Sequence, residues 1–202
     1  MRNRNVLLLT LLGVAVLIII IYGFNTSQDP QAYAETISEE RKKSERFLLY
    51  NEDSPLDEED KKNFKGLNYY EPDLTYKVRA KVTPIGGNQE ITLPTSDGAE
   101  QTYRKFGYAR FEIDGKPQQL LLLEVQDDPD ELFLAFADAT SARETYGGGR
   151  YLDLTRPAGE SVTLDFNLAY NPYCAYVEGY SCPFPPPENT LNIPIRAGEK
   201  DY

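Results

Sequence analysis

The sequence predicts a mainly β protein: an antiparallel meander that closes as a barrel or sandwich of about 7–8 strands, preceded by a transmembrane helix and short N-terminal helices. Three observations support this class. Apolar and polar residues alternate from Leu74 onward, which is typical of strands with one solvated face. Turn signals rich in glycine, asparagine and aspartate then recur about every 8–12 residues. Before them, Val6–Phe24 is a run of 19 uncharged residues.

The N-terminal apolar run indicates a membrane anchor at residues 1–24, or an uncleaved signal. A helix of this length would be about 28 Å long, close to the hydrocarbon thickness of about 30 Å. Arg2 and Arg4 precede the run and acidic residues follow it, so we expect the N-terminus inside. The prediction is a single-pass protein of the cytoplasmic membrane with a periplasmic or extracellular C-terminal domain. A signal peptide cleaved at Ala32-Tyr33-Ala34 and a buried helix of a soluble protein are the alternatives.

Residues 25–65 are expected to form a helical stalk and docking helices. Asp29-Pro30 has the residue types of a helix start, with aspartate as N-cap and proline in the first turn. The helix should continue to about Tyr50 and dock its far end on the domain. A second helix is predicted from Ser54-Pro55, with acidic residues early and lysines late, as the helix dipole favours.

Residues 66–202 are predicted to be a β domain with a covering loop near its C-terminus, rich in cysteine, proline and tyrosine. Leu120–Val125 and Leu132–Ala137 are apolar on both faces, so they should be central strands. The final apolar stretch, Leu191–Arg196, should be an edge strand because Pro194 lacks a backbone donor. The other predicted strands are residues 74–83, 89–93, 102–113, 150–154 and 161–169.

Charge and composition exclude several classes of function. The net charge of −11 repels nucleic-acid phosphates, so a nucleic-acid partner is excluded. The chain has no histidine, so Ser-His-Asp and Cys-His catalysis are impossible within it. We predict no cofactor and no metal, because the acidic turn near Asp128 does not have the spacing of a calcium loop.

Polar residues near the end of the predicted sheet form a candidate ligand site. Alternation in the stretch 161–169 would place Asp165 and Asn167 on one strand face, where they could form a polar pocket. The alternatives are an ordinary solvated face, or an aspartate that caps a nearby turn. Gly147, Gly148 and Gly149 could form an anion-binding nest with Arg150 as a clamp, or simply a tight turn. Two further residues complete the candidate site, Glu188 and Asn189.

Cys174 and Cys182 are the only cysteines. Two thiolates without histidine do not complete a structural zinc site, and the spacing is not that of a thioredoxin-type centre. Outside the cytoplasm such a pair normally oxidises, which favours a structural disulfide. Two free thiols, or a metal site shared between chains, are the alternatives.

Three stretches together resemble a bacterial domain-of-unknown-function family, number 1684: "FKGLNYYEPDLTYKVRAKV", "FADATSARETYGGGRYLDL" and "LDFNLAYNPYCAYVEGYSCPFPPPENTLNIPIRAGEK". The resemblance covers residues 38–202 and implies an architecture and a candidate patch, but no established activity. The family pattern matches at Asp138, Thr140, Tyr146, Gly147, Gly148, Gly149, Arg150, Asp165, Asn167, Tyr170, Asn171, Pro172, Cys174, Cys182, Pro183, Glu188, Asn189, Ala197, Gly198 and Glu199.

Three functions are compatible with these features. The first is a membrane-anchored binding or structural module of the cell envelope for a small polar ligand. The second is a hydrolase acting on envelope glycans, with Asp165 and Glu188 as its acid and base. The third is a purely structural interaction domain that uses the tyrosine-rich loop as its contact surface. The sequence predicts no particular protein partner.

Overall fold

The computed structural model describes residues 29–126 and 128–202. The predicted anchor, Val6–Phe24, lies outside these residues. Within the described ranges, no helix is both long and apolar enough to cross a membrane. Two helices precede the sheet, α1 (Pro30–Tyr50) and α2 (Glu58–Asn63). Seven strands follow: β1 (Lys77–Pro84), β2 (Glu90–Pro94), β3 (Glu100–Ile113), β4 (Lys116–Glu124), β5 (Glu131–Phe136), β6 (Arg150–Thr155) and β7 (Ser161–Asp165).

The strands form one antiparallel sheet that is nearly closed as a barrel, which agrees with the predicted mainly β class. The order is β6-β5-β4-β3-β1-β7, and β2 pairs with β3 outside this path. Strands β3 to β6 therefore form the expected meander. The first strand, β1, also pairs with the last strand, β7, over Lys77–Lys81 and Ser161–Asp165, so that β6 and β7 are the two ends of the sheet.

Strand β3 is long because it carries two partners in succession. On one edge its first half pairs with β2 and its second half pairs with β1. Its other edge pairs with β4, and there the register shifts between Lys105 and Gly107. At Gly107 a β-carbon would lie 2.7 Å from the carbonyl oxygen of Thr83. Only glycine allows β1 to approach β3 this closely.

The central strands are covered on both faces, as their apolar sequences predict. Leu120 and Leu122 belong to the main core inside the barrel, whereas Leu121 and Leu123 belong to a second cluster outside it. All four side chains are fully buried. The outer cluster explains why the alternation of a one-sided strand is missing here.

Helix α1 begins at the predicted residue and docks along its length. The side chain of Asp29 accepts a hydrogen bond from the amide of Gln31, and Pro30 occupies the first turn. Tyr33, Ile37 and Leu48 are buried, so contact with the β domain is not confined to the far end of the helix. The second helix starts after Asp57, later than the sequence indicated.

The last predicted strand, Leu191–Arg196, is absent, and the C-terminal segment (residues 190–202) is irregular. Three of its side chains still enter the main core, those of Leu191, Ile195 and Ala197. The segment therefore closes one end of the barrel without a ladder, because its backbone bonds mainly to side chains and loop residues.

Candidate functional site

Arg150 starts β6 and points into the barrel. Its guanidinium group is 1% exposed and forms an ion pair with Asp138, with an Nη2–Oδ2 distance of 2.8 Å. The remaining terminal donors bind backbone carbonyls of the C-terminal segment, those of Ile195, Ala197 and Glu199. The predicted anion clamp is thus occupied by internal partners, and this arginine connects the barrel to the end of the chain.

The three glycines form part of the loop between β5 and β6. Gly149 has a φ of +87° and donates its amide hydrogen to the carbonyl of Tyr146. A β-carbon at this position would lie 2.6 Å from the ring of Pro185. These contacts favour the turn interpretation for Gly149, whereas Gly147 is exposed and Gly148 is half-buried.

Asp165 and Asn167 do not share a strand face, which corrects the sequence interpretation of 161–169 as one strand. β7 ends at Asp165, and Phe166–Leu168 form a 3₁₀ turn that the carboxylate of Asp165 caps. The same carboxylate accepts a hydrogen bond of 2.7 Å from the Tyr33 hydroxyl. The Asn167 side chain bonds to both backbone groups of Asp73. Both residues therefore hold neighbouring chain in place.

Glu188 and Asn189 are adjacent in sequence but have different environments. Glu188 is exposed and accepts a hydrogen bond of 2.7 Å from Tyr108. Asn189 is fully buried between β4 and β5, where it bonds to the backbone of Leu121 and Ala135. Because the ladder between these strands stops at Leu123, the asparagine side chain replaces the missing backbone pairing.

The predicted site residues thus belong to separate hydrogen-bonded groups. Among the described residues, the groups of Arg150, of Asp165 with Asn167, and of Glu188 share no hydrogen-bond partner. Ligand binding by these residues stays a prediction.

The disulfide between Cys174 and Cys182 is present, with a Cα–Cα distance of 6.3 Å. It lies in the covering loop (residues 170–189), which packs on the outer face of the sheet. The Tyr151 hydroxyl donates to the carbonyl of Pro183, and the amide of Phe184 donates to the carbonyl of Pro94. The disulfide therefore constrains the part of the chain that covers the outer cluster.

Glu199 is a buried carboxyl group to which the sequence reasoning assigned no role. Its side chain accepts hydrogen bonds from the Asn171 amide, the Asn171 side chain and the Tyr176 hydroxyl. Burial raises the pKa of Glu199 to about 7, although these donors and Arg150 oppose the shift. The only sequence signal was its match to the family pattern.

The second missed feature is a chain of four aromatic rings on the outer face, here called the aromatic patch: Tyr103, Phe133, Tyr151 and Tyr170. Successive ring centroids are 5.6, 4.8 and 5.9 Å apart. The patch crosses β3, β5 and β6 and ends on the covering loop. Rings at these distances are in direct packing contact; Tyr151 is buried, and the other three rings are half-buried.

Asp153 lies at the edge of the aromatic patch. It is directly opposite Phe133 in the β5–β6 register, and its Oδ2 accepts a hydrogen bond of 2.8 Å from the Tyr170 hydroxyl. The side chain is accessible to solvent, yet desolvation by the surrounding protein raises the pKa of Asp153. The carboxylate therefore keeps contact with solvent, although the surrounding protein disfavours its charged form. The alternation in "RYLDL" was the available signal, because it puts Tyr151 and Asp153 on one face.

The sequence profile of a protein family described as "Protein of unknown function (DUF1684)" matches residues 62–200. The chain belongs to the DUF1684 family. This confirms the family that the sequence resemblance indicated. Among curated proteins, none matches this DUF1684 chain.

This DUF1684 protein is also similar to an uncharacterised protein of Haloarcula marismortui whose structure was solved in solution by NMR. The two sequences are 34% identical, and the match covers 87% of this chain and 97% of the other. The TM-score is 0.68, so the similarity extends to the fold.

Proposed function

We propose that this DUF1684 protein is a membrane-anchored extracytoplasmic module that binds a small polar ligand of the cell envelope at the surface around Asp153. The apolar run Val6–Phe24 and the cysteine pair support the location. The observation that carries the site is the solvent-accessible Asp153 carboxylate beside the aromatic patch, with Tyr170 as its hydrogen-bond donor.

The alternative, a carboxylate-dependent hydrolase, receives no support from the contacts of the two predicted residues. An acid–base pair needs two carboxyl groups on either side of one scissile bond. Asp165 contacts Tyr33 and Asn167, whereas Glu188 contacts Tyr108 and lies near Lys105.

Glu199 does not rescue the hydrolase hypothesis. Its raised pKa would suit a general acid. However, the side chain is 1% exposed and its oxygens are occupied by Asn171 and Tyr176, so a substrate cannot reach it.

A thermal-shift screen of the full-length chain tests the proposed site. The compounds are small sugars, amino acids and amines, and the variants are Asp153→Asn and Asp114→Asn. The second variant removes the same charge from an exposed turn and leaves the aromatic patch intact. We expect a compound that raises the Tm of the wild type and of Asp114→Asn but not of Asp153→Asn. The proposed site is contradicted if no compound raises the Tm of the wild type and of Asp114→Asn more than it raises the Tm of Asp153→Asn.

The location is tested separately by cell fractionation and by alkylation of the cysteines in intact cells. We expect the chain in the membrane fraction with Cys174 and Cys182 resistant to alkylation before reduction. Intact chain in the cytosol with both thiols readily alkylated would contradict the location.

A further inference from the structure

Three features of the Asp153 surface restrict the chemistry of its ligand, and the inference drawn from them rests on the proposed function. The first is charge. Within the described part of the chain, Asp153 forms no ion pair, and its Oδ1 accepts no hydrogen bond. The whole chain carries a net charge of −11. An anionic ligand would therefore be repelled at this position, whereas a cation would supply the missing partner.

The second feature is the aromatic patch. Phe133 and Asp153 are directly paired across β5 and β6, so their side chains leave the same face about 5 Å apart. Tyr170 touches the carboxylate itself, through its hydroxyl group. Aromatic ring faces attract cations through their quadrupole, and the attraction grows where water is partly removed.

The third feature is the combination of accessibility and desolvation. Asp153 is open to solvent, but nearby protein raises the pKa of its carboxyl group because the charged form is poorly hydrated. A cation bound beside it would stabilise the charged form. A strongly hydrated metal ion is a poor fit, because only one carboxylate is present and no cluster of acidic side chains suited to a metal occurs in residues 29–126 and 128–202.

We infer that the surface binds an organic ammonium ion, with Asp153 as the counter-ion and the rings of Phe133 and Tyr170 beside the alkyl groups. A weakly hydrated ammonium group satisfies both the unpaired carboxylate and the apolar rings at once. A neutral sugar could pack against the rings but would leave the Asp153 carboxylate without a counter-ion. Neutral sugars are therefore the competing class of ligand.

Isothermal titration calorimetry of the full-length chain in uncharged detergent micelles distinguishes the two classes. The cationic probe is tetramethylammonium chloride, with sodium chloride at equal ionic strength as the blank, and the neutral probe is N-acetylglucosamine. We expect tetramethylammonium to bind to the wild type. Asp153→Asn should raise the Kd for tetramethylammonium at least about tenfold. Phe133→Leu keeps the apolar volume without the ring and should weaken binding about 2- to 10-fold. Asp114→Asn should leave the Kd for tetramethylammonium unchanged.

The possible outcomes separate this inference from the proposed function. Tetramethylammonium binding that depends on Asp153 supports both. Sugar binding that depends on Asp153, without tetramethylammonium binding, overturns the ammonium inference and leaves the binding module standing. Heat of binding that is equal in the wild type and in Asp153→Asn overturns the inference as well. Unchanged Tm values of the free variants show that each result concerns binding and not folding.

Discussion

The sheet and the C-terminal segment are stabilised in different ways. The strands β1–β7 satisfy their backbone groups through ladders and bury apolar side chains on one or both faces. The C-terminal segment contains no strand, and three of its carbonyls accept hydrogen bonds from the buried side chain of Arg150. Irregular chain can close a barrel only if buried polar side chains replace the ladder, because unpaired backbone groups are costly.

Substitutions of buried polar residues in this protein should therefore be as damaging as core substitutions. Arg150, Asn189 and Glu199 bond to chain that is distant in sequence; Arg150 and Ile195, for example, are separated by 45 in sequence number. They act as structural links between elements. The stabilities of three sets of variants test whether these links hold the irregular chain.

The largest effect is expected for Arg150→Met. The substitution keeps the length of the side chain but leaves Asp138 as a buried unpaired charge and removes the donors to three carbonyls. We expect a loss of about 3–5 kcal/mol in the free energy of unfolding. Chemical denaturation followed by far-UV circular dichroism measures it. Leu134→Ala, expected to cost about 2–5 kcal/mol, is the matched core substitution.

The double variant Arg150→Met, Asp138→Asn tests the cause of that loss. Replacing the carboxylate by an amide removes the unpaired charge, so the double variant should be more stable than Arg150→Met alone. If Arg150→Met costs less than about 1 kcal/mol, the guanidinium group does not hold the C-terminal segment.

The next effect concerns the pH dependence that Glu199 produces. Its pKa rises from an ordinary value of 4.5 to about 7 on folding. The associated stability is fully present below pH 4.5 and is lost as the pH rises through about 7. Between pH 4.5 and pH 8 this amounts to about 3 kcal/mol in the free energy of unfolding.

The difference between the wild type and Glu199→Gln isolates the carboxyl group from the other titrating residues. We expect the stability of the wild type to fall relative to Glu199→Gln as the pH rises across this window, measured by urea denaturation at several pH values. Parallel profiles of the two proteins would show that Glu199 does not titrate between the folded and unfolded states.

The smallest of the three effects is expected for the pair Cys174→Ser, Cys182→Ser. The disulfide closes a loop of nine residues, so its removal should cost about 2–3 kcal/mol through the entropy of the unfolded chain. Native-state hydrogen exchange should show the main loss of protection in residues 170–189. Equal loss in β3 and β4 would mean that the covering loop and the sheet unfold as one unit.

The strand positions could be predicted well because their cause is local. The alternation from Leu74, the apolar stretch Leu120–Leu123 and the turn signals depend only on neighbouring residues. The stretch 161–169 was misread because the apolar alternation of Val162, Leu164, Phe166 and Leu168 continues through a 3₁₀ turn. The alternation of apolar residues does not distinguish a strand from a 3₁₀ turn. The strand ends here because the Asp165 side chain bonds to the backbone, and the apolar pattern carries no signal of that bond.

The candidate site could be predicted only in part. The sequence identified Arg150 and Asn189 as unusual, but it assigned them to a ligand and not to the chain itself. The alternation in "RYLDL" placed Asp153 on the same face as Tyr151, but this was not enough to select it, because an isolated acidic residue in a strand normally faces solvent. Its significance depends on Phe133, from the preceding strand, and on Tyr170, from the loop that returns past β6.

Composition and periodicity were enough to predict the class of fold, the central position of β4 and β5, and the cysteine pair. Hydrophobic periodicity and turn chemistry act over a few residues, so they can be recognised in the linear chain. The contacts between buried polar groups, such as those of Arg150 with the carbonyls near the C-terminus, could be identified only in the folded chain. The physical reason is that an unpaired carbonyl arises from the path of the whole chain, and its partner is whichever side chain that path brings within hydrogen-bond distance.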